Sequence, residues 1–193
     1  LISHELAHQW FGDLLTCRDW SQGWLNEGFA TYMELVWKEH VAGRDEADYD
    51  RLGDQEAYLD EDGHRYRRPI VTNVFHEPID VFDRHLYEKG GCVLHMLRSE
   101  LGDARFWKAI RHYVHKHAGG SVETRDLARA VDEATGWNPD RFFEQWVFKA
   151  GHPDLKIETS WDEQEKLVKL VVAQTQTVEG DTPLFHFSLP VRL

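Results

Sequence analysis

The first residues of the chain carry side chains that could bind a metal ion. His4 and His8 lie four positions apart in the stretch SHELAHQW, and Glu5 follows His4 directly. On a helix, residues four apart lie one turn above each other, so both imidazoles would project from one face and could share an ion. Glu5 lies one step round the helix, where its carboxylate could accept a proton from a water molecule held at the ion.

A third ligand is available further along the chain. Eighteen residues separate His8 from Glu27, which lies in the stretch WLNEGFATY, and the polar connector between them gives the chain room to turn back. Two histidines and one glutamate leave a fourth position open for water, which is the arrangement of a catalytic zinc site. The pattern predicts one Zn²⁺ bound by His4, His8 and Glu27. The alternative is that the two histidines are hydrogen-bonded core residues with no metal.

Apolar spacing predicts that the chain is mainly helical up to about residue 150. Helical patterns cover residues 1–14, 25–41, 83–101, 103–117 and 124–135. A further helix is predicted to begin with Asn138 as N-cap and Pro139 at the first helical position. Gly151 and Pro153 are residues that end helices, so we expect this last helix to stop there.

Two segments between these helical patterns have a different composition. Residues 43–62 are strongly acidic and are predicted to form a solvated face. Residues 63–80 are rich in proline and turn-forming residues and are predicted to form a loop.

The periodicity changes after Pro153. Residues 154–161, 165–176 and 184–193 alternate or are rich in β-branched side chains, which predicts strands. We therefore predict an α+β protein with a boundary near residue 151, dividing the chain into residues 1–151 and 152–193.

Composition limits the kinds of partner. The formal net charge is −12, from 22 Lys and Arg against 34 Asp and Glu. This balance argues against nucleic acid as a partner, because phosphates require a basic surface. No apolar run approaches the length of a membrane span. The two cysteines are too few for a disulfide framework. The compartment stays open, with a cytoplasmic location favoured.

Three motifs together resemble one enzyme family. HELAH, followed after eighteen residues by the glutamate of NEGFA, is similar to the zinc motif of the gluzincin aminopeptidases, the aminopeptidase N family. LYEKGG resembles that family's tyrosine motif, and FFEQWVFKAGHPDLKI resembles the segment where its catalytic domain passes into a β-sandwich domain. The resemblance implies the C-terminal, mainly helical half of a thermolysin-like catalytic domain, followed by the first strands of a β-sandwich.

The resemblance also implies roles for individual residues. Glu5 would be the general base that takes a proton from water and passes it to the leaving amine. Tyr87 would donate its hydroxyl to the oxyanion of the tetrahedral intermediate. Glu34 lies seven residues after Glu27, two helical turns on, and could accept the second ring N–H of a metal-bound histidine. A solvent-facing role for Glu34 is the alternative. Next to the tyrosine motif, Gly90 and Gly91 suggest close backbone packing.

The implied function is a zinc-dependent aminopeptidase that removes N-terminal residues from peptides. The family's glycine-rich exopeptidase motif lies upstream of the zinc helix and is not within this chain. We therefore expect a fragment whose partners are peptide substrates and the missing N- and C-terminal parts of its own polypeptide, and which is inefficient alone. The alternatives are an endopeptidase or epoxide hydrolase on the same zinc site, or a zinc-binding fragment without turnover.

Overall fold

The computed structural model describes residues 1–191, which are mainly helical. The α-helices among these residues are α1 (Ile2–Ala7), α2 (Trp24–Ala42), α3 (Arg44–His64), α4 (Gly90–Leu101), α5 (Asp103–His117), α6 (Thr124–Thr135) and α7 (Asp140–Trp146). Shorter helical turns are the 3₁₀ turns Trp20–Gln22 and Pro78–Val81 and the π-helix His85–Lys89. The strands are β1 (Leu15–Cys17), β2 (Gly120–Val122), β3 (Leu155–Asp162) and β4 (Leu167–Gln174).

The strands form two small sheets. β1 pairs in parallel with β2, and Leu15 lies opposite Gly120. β3 pairs with β4 as an antiparallel hairpin, in which Leu155 lies opposite Gln174. An α+β class is therefore confirmed, with the helices carrying most of the core. Among the described residues, no helix combines the length and apolar character needed to cross a bilayer.

α2 is the central helix of the molecule. It buries an apolar face that includes Trp24, Phe29 and Tyr32. α1, α3, α4 and the π-helix all pack against α2. Trp24 is fully buried, and its indole N–H donates to the Thr124 hydroxyl at 2.9 Å, which joins α2 to α6. The prediction of a helix over 25–41 is confirmed.

α1 is shorter than the pattern of residues 1–14 predicts. The helix ends at Ala7, and the chain turns at Gly12, whose φ is +148°. Glycine adopts this backbone conformation readily, whereas a right-handed α-helix requires a negative φ. The helix therefore could not continue through Gly12 to residue 14. Leu6 and Trp10, which the pattern placed on a buried face, are 58% and 48% exposed.

The acidic segment is a helix, which its charge pattern did not predict. α3 exposes most of its residues, as expected for a solvated face, and buries Ala47, Tyr58, Glu61 and Asp62. Two of these four buried residues are acids. Composition alone predicts that this segment is exposed to solvent. The segment is helical because one narrow face of it packs against the rest of the protein.

Helix α7 begins one residue later than predicted. Asp140 is its first residue, and the Asn138 side chain accepts a hydrogen bond from the Asp140 N–H at 2.8 Å. Pro139 is the N-cap and makes no side-chain cap hydrogen bond, so the predictions of Asn138 as N-cap and of Pro139 as the first helical residue are wrong.

Two of the three predicted strands are confirmed, as β3 and β4. Residues 184–191 form no strand, and the last two residues of that prediction lie outside the described residues. The backbone N–H groups of Phe185 and His186 donate instead to the side chains of Gln174 and Gln145, at 2.9 and 2.8 Å. Phe185 is buried and stacks on Trp146 with 4.7 Å between ring centroids. The predicted domain boundary near residue 151 stays a prediction.

α2 and α4 touch backbone to backbone at a pair of glycines. A Cβ atom on Gly28 would lie 3.1 Å from the Cα of Gly90, and one on Gly90 would lie 3.0 Å from the Cα of Gly28. These separations are tighter than nine in ten contacts of real Cβ atoms. The close packing that the Gly90–Gly91 pair suggested is therefore present.

We expect Gly28→Ala to destabilise the protein, because the new methyl group meets backbone atoms that cannot move aside. Overpacking of this kind lowers the free energy of unfolding by about 1–3 kcal/mol. Gly53→Ala in α3 is the matched control, since its Cβ would meet nothing within 4 Å. The control should gain about 0.5–1 kcal/mol from helix propensity. Urea unfolding of both variants measures their free energies of unfolding. If the two free energies are equal, α2 and α4 can move apart at this contact without cost.

Candidate metal centre

The two histidines of the first helix lie on one face, as their spacing predicts. His8 caps α1 with helical φ and ψ of −61° and −20°, and its N–H donates to the His4 carbonyl at 3.3 Å. The ring centroids of His4 and His8 are 4.9 Å apart. The turn after His8 therefore still holds both imidazoles at helical spacing.

Glu27 reaches both histidines from the first turn of α2. Its Oε2 atom is 3.3 Å from Nε2 of His4 and 3.3 Å from Nε2 of His8. The three ligand atoms all lie within 4.8 Å of one another. The side chains are between 12% and 23% exposed, so the group is sheltered but open to solvent on one side.

The remaining ring nitrogens are held by other acceptors. His8 Nδ1 donates to the Phe11 carbonyl at 2.9 Å, and His4 Nδ1 donates to Glu34 Oε1 at 2.9 Å. A carbonyl and a carboxylate can only accept, so each Nδ1 carries a proton. In the neutral imidazoles, the Nε2 atoms then present lone pairs towards Glu27.

This arrangement fits a divalent cation. Two imidazole lone pairs and a carboxylate oxygen converge with no donor between them, which is unfavourable unless a cation or extra protons lie among them. Zinc binds such atoms at about 2.0–2.1 Å, so neighbouring ligands on a tetrahedron lie about 3.3–3.4 Å apart. The separations of 3.3 Å between Glu27 and each histidine match this edge.

Gly12 makes the support of His8 possible. The positive φ of Gly12 turns the chain so that the Phe11 carbonyl faces back to His8, and a Cβ on Gly12 would lie 3.2 Å from His8 Nδ1. The sequence motif gave no role to Phe11, because a backbone acceptor leaves no trace in side-chain type. The glycine that follows it is the one available signal.

The other two predicted site residues lie beside the metal group. Glu5 is exposed on α1, and its carboxylate is near enough to Tyr87 to act on the tyrosine electrostatically. The Tyr87 ring is 6.2 Å from the His4 ring, nearly parallel to it. Burial, with Glu27 as the next cause, raises the pKa of Tyr87 to about 12. Its hydroxyl is therefore protonated at neutral pH and able to donate.

A second group has ligand atoms at similar separations. Glu61, Asp83 and His85 also offer atoms within 4.8 Å of one another. Asp83 Oδ2, however, already accepts from Tyr66 and from Arg68, at 2.9 and 2.8 Å. Because an arginine occupies the position where a cation would bind, this group is an ion-pair network and not a metal site.

Comparisons with known proteins agree with the geometry. Residues 1–146 match the model of the peptidase family M1 domain. The chain is 36% identical over 159 residues to tricorn protease-interacting factor F2 of Thermoplasma volcanium, covering 81% of this chain and 20% of that protein. It is 34% identical over 158 residues to aminopeptidase M1-C of Oryza sativa, covering 81% of this chain and 18% of that protein.

Solved structures show the same likeness. The M1 zinc metallopeptidase of Deinococcus radiodurans is 35% identical with a TM-score of 0.65, covering 78% of this chain and 33% of that one. Native yeast LTA4 hydrolase is 31% identical with a TM-score of 0.72, covering 79% of this chain and 26% of that one. The chain spans about a fifth of the length of the curated relatives it matches. Because the family model covers well over half of its residues, the chain belongs to peptidase family M1.

Proposed function

We propose that this chain carries the zinc centre and part of the catalytic machinery of an aminopeptidase that removes N-terminal residues from peptides. The observation that carries the proposal is the convergence of His4, His8 and Glu27. Relatives named as aminopeptidases from rice and Arabidopsis thaliana support it. A mutant of the Deinococcus radiodurans M1 metallopeptidase was crystallised bound to a Tyr-Ser-Ala substrate, which supports peptides as the substrate class.

Three side chains would hold the ion, and one further side chain and one backbone carbonyl would orient the two histidines. His4, His8 and Glu27 supply the ligand atoms, while Glu34 and the Phe11 carbonyl fix the imidazoles with Nε2 facing inward. Such supporting hydrogen bonds orient metal-bound histidines and increase their basicity. When bound, zinc supplies a Lewis acid that polarises a carbonyl oxygen and lowers the pKa of water towards about 7.

Glu5 and Tyr87 would carry out the remaining chemistry. The Glu5 carboxylate, exposed beside the ligands, accepts a proton from the attacking water and transfers it to the leaving amine. The Tyr87 hydroxyl donates a hydrogen bond to the oxygen that becomes negatively charged as the carbonyl is attacked. The Tyr87 ring lies 6.2 Å from the His4 ring, which places this donor beside the metal ligands.

A second candidate is a related zinc hydrolase, favoured by the likeness to yeast LTA4 hydrolase. Assays of the complete protein with aminoacyl-anilides, internally quenched peptides blocked at the N-terminus, and an epoxide separate the three activities. Only the aminopeptidase should require a free α-amine. Zinc binding without hydrolysis in any assay would leave the non-catalytic alternative.

An apolar groove beside α1 supports the view that the cleft is completed by further protein. The groove has a volume of about 790 Å³. It is lined by the exposed side chains Ile2, Leu6, Trp10 and Trp37. Contiguous exposed apolar grooves are a common feature of surfaces that contact other protein. We expect another part of a longer polypeptide to cover it, because the relatives are about five times as long as the matched region.

We predict that His8→Ala and Glu27→Ala abolish zinc binding, because each removes one of three ligands. His64→Ala is the control, since His64 is 77% exposed and pairs with Asp60, away from the three ligands. Inductively coupled plasma mass spectrometry should find about one zinc per chain in the wild type and in the control. Full zinc content in either ligand variant would remove that residue from the ligand set.

We predict that Glu5→Gln keeps zinc and lowers kcat by about 10²–10⁴-fold, since the amide cannot take the proton. The exposed Glu46→Gln is the control. Tyr87→Phe should lower kcat by about 10²–10³-fold without changing metal content. Tyr49, which is 74% exposed, gives the matched Tyr→Phe control. Steady-state kinetics of the complete protein measures both, and wild-type rates would exclude the residue from the mechanism.

We predict that residues 1–193 expressed alone self-associate and hydrolyse aminoacyl-anilides inefficiently. The exposed groove drives the association, so Leu6→Gln with Trp37→Gln should reduce it while zinc content is kept. Analytical ultracentrifugation measures the size, and Val74→Gln, at a site that is 89% exposed and away from the groove, is the control. A monomer with the efficiency of a longer relative would contradict the expectation.

A further inference from the structure

The segment that carries Tyr87 is a π-helix with a buried polar side chain near each end. His85 and Lys89 lie two residues before and two residues after Tyr87, and they are 0% and 3% exposed. Neither residue has a role in the proposed chemistry. Because a buried polar or charged group lowers stability unless it makes specific contacts, the contacts of these two residues need an explanation.

Lys89 anchors the C-terminal end of the π-helix to a distant segment. Its Nζ donates to the Gly151 carbonyl at 3.0 Å and lies 5.1 Å from the centre of the Tyr58 ring. Burial lowers the pKa of Lys89 to about 7, but the amine donates this hydrogen bond whether it is charged or neutral. Gly151 is itself fixed, with φ of +79° and space for a Cβ filled by Thr182.

His85 anchors the N-terminal end. Its Nε2 is 3.3 Å from Asp62 Oδ1, and its Nδ1 is 3.5 Å from Asp83 Oδ2 and 3.6 Å from Glu61 Oε2. Burial opposes a positive charge on His85, but hydrogen bonding to Asp62 and Asp83 raises its pKa above the usual value. His85 therefore lies among three carboxylates and connects the π-helix to α3.

Asp62 joins the two anchors into one unit. Besides His85, it accepts from Arg67 Nε at 2.7 Å and contacts His152 Nδ1 at 3.3 Å. Burial works against ionisation of Asp62, yet hydrogen bonds from His152 and His85 hold its pKa far below the usual value. His152 follows Gly151, the acceptor for Lys89. Both ends of the π-helix are thus tied to the Gly151–His152 segment.

A π-helix needs such restraints. It is rare and is found mainly as single turns at functional sites. Relaxation to an α-helix would change the number of residues in the turn, and each residue corresponds to about 100° of rotation about the helix axis. Tyr87 would then turn away from His4, although the sequence on either side stayed folded.

We propose that Lys89 and His85 are positioning residues that hold the Tyr87 hydroxyl beside the metal ligands. The proposal rests on the function proposed above, in which Tyr87 is the hydrogen-bond donor to the oxyanion. Lys89 and His85 make no contact with substrate in this proposal. They affect the reaction only by holding the phenol of Tyr87 in position.

The principal test is Lys89→Met in the complete protein. Methionine has a similar length and fills the same space, but it leaves the Gly151 carbonyl without its donor, which lowers the stability of the protein. We expect kcat to fall by about 10–10²-fold, the effect of misplacing a catalytic group by about 1 Å. KM and zinc content should stay as in the wild type. Lys108→Met, at an exposed position in α5, is the control and should leave kcat unchanged.

A double-mutant cycle distinguishes positioning from a general structural role. If Lys89 acts through Tyr87, the variant with both Lys89→Met and Tyr87→Phe should be no slower than Tyr87→Phe alone. Multiplying effects, or a wild-type kcat for Lys89→Met beside a slow Tyr87→Phe, would overturn the positioning role and leave the proposed function intact. A wild-type rate for Tyr87→Phe would instead refute the role of Tyr87 and this inference with it.

His85→Gln provides an independent arm at the other end of the π-helix. Glutamine can still donate to Asp62 but carries no charge, so we expect the same loss of kcat and the same lack of additivity with Tyr87→Phe. Thermal unfolding and zinc content report the fold of each variant. If both Lys89→Met and His85→Gln lose zinc and unfold, the two residues support the fold as a whole and the positioning role is refuted.

Discussion

The contact between Gly28 and Gly90 sets the distances on which the rest of the site depends. Gly28 follows the ligand Glu27 directly, and Gly90 follows the π-helix that carries Tyr87. With 3.0–3.1 Å between a Cβ on either glycine and the other Cα, the two backbones are too close to accept a side chain without shifting. A wider separation would move the tyrosine away from the ligands. One steric contact thus fixes two groups of the site relative to each other.

The metal-ligand residues also help to hold α1 in place. This helix has six residues and no side-chain N-cap, and isolated helices below about 12–15 residues are marginal in water. Its apolar side chains Ile2 and Leu6 are mostly exposed, so burial does little to hold it. The convergence of His4 and His8 on Glu27 joins α1 to the central helix. A bound cation at this point would act on the fold as well as on the chemistry, as is common for metal sites formed from distant segments.

The sequence was sufficient to predict what local spacing encodes. His4, His8 and Glu27 were predicted as a group, and the structure brings them together; helices over 103–117 and 124–135 and the strands β3 and β4, though not their pairing, were also predicted. The end of α1 at Ala7 was missed. The acidic helix α3 was also missed, because it forms through the packing of a few of its residues against α2 and the π-helix. The sequence gives no sign of the roles of Lys89, in the tyrosine motif, and of His85, just before it, since their partners lie at Gly151 and in α3.

The pairing of β1 with β2 has a consequence for how the molecule is made. β1 begins three residues after Gly12, the turn that supports His8, and its partner strand is more than a hundred residues further along the chain. During synthesis from the N-terminus, both histidines and Glu27 leave the ribosome long before residue 122 does. Loop closure over such a span is slow compared with helix formation. The ligand residues are therefore synthesised before β2, the strand that pairs with β1 beside them. A metal ion present at that stage would encounter a flexible segment that carries the ligands, and not yet a folded site.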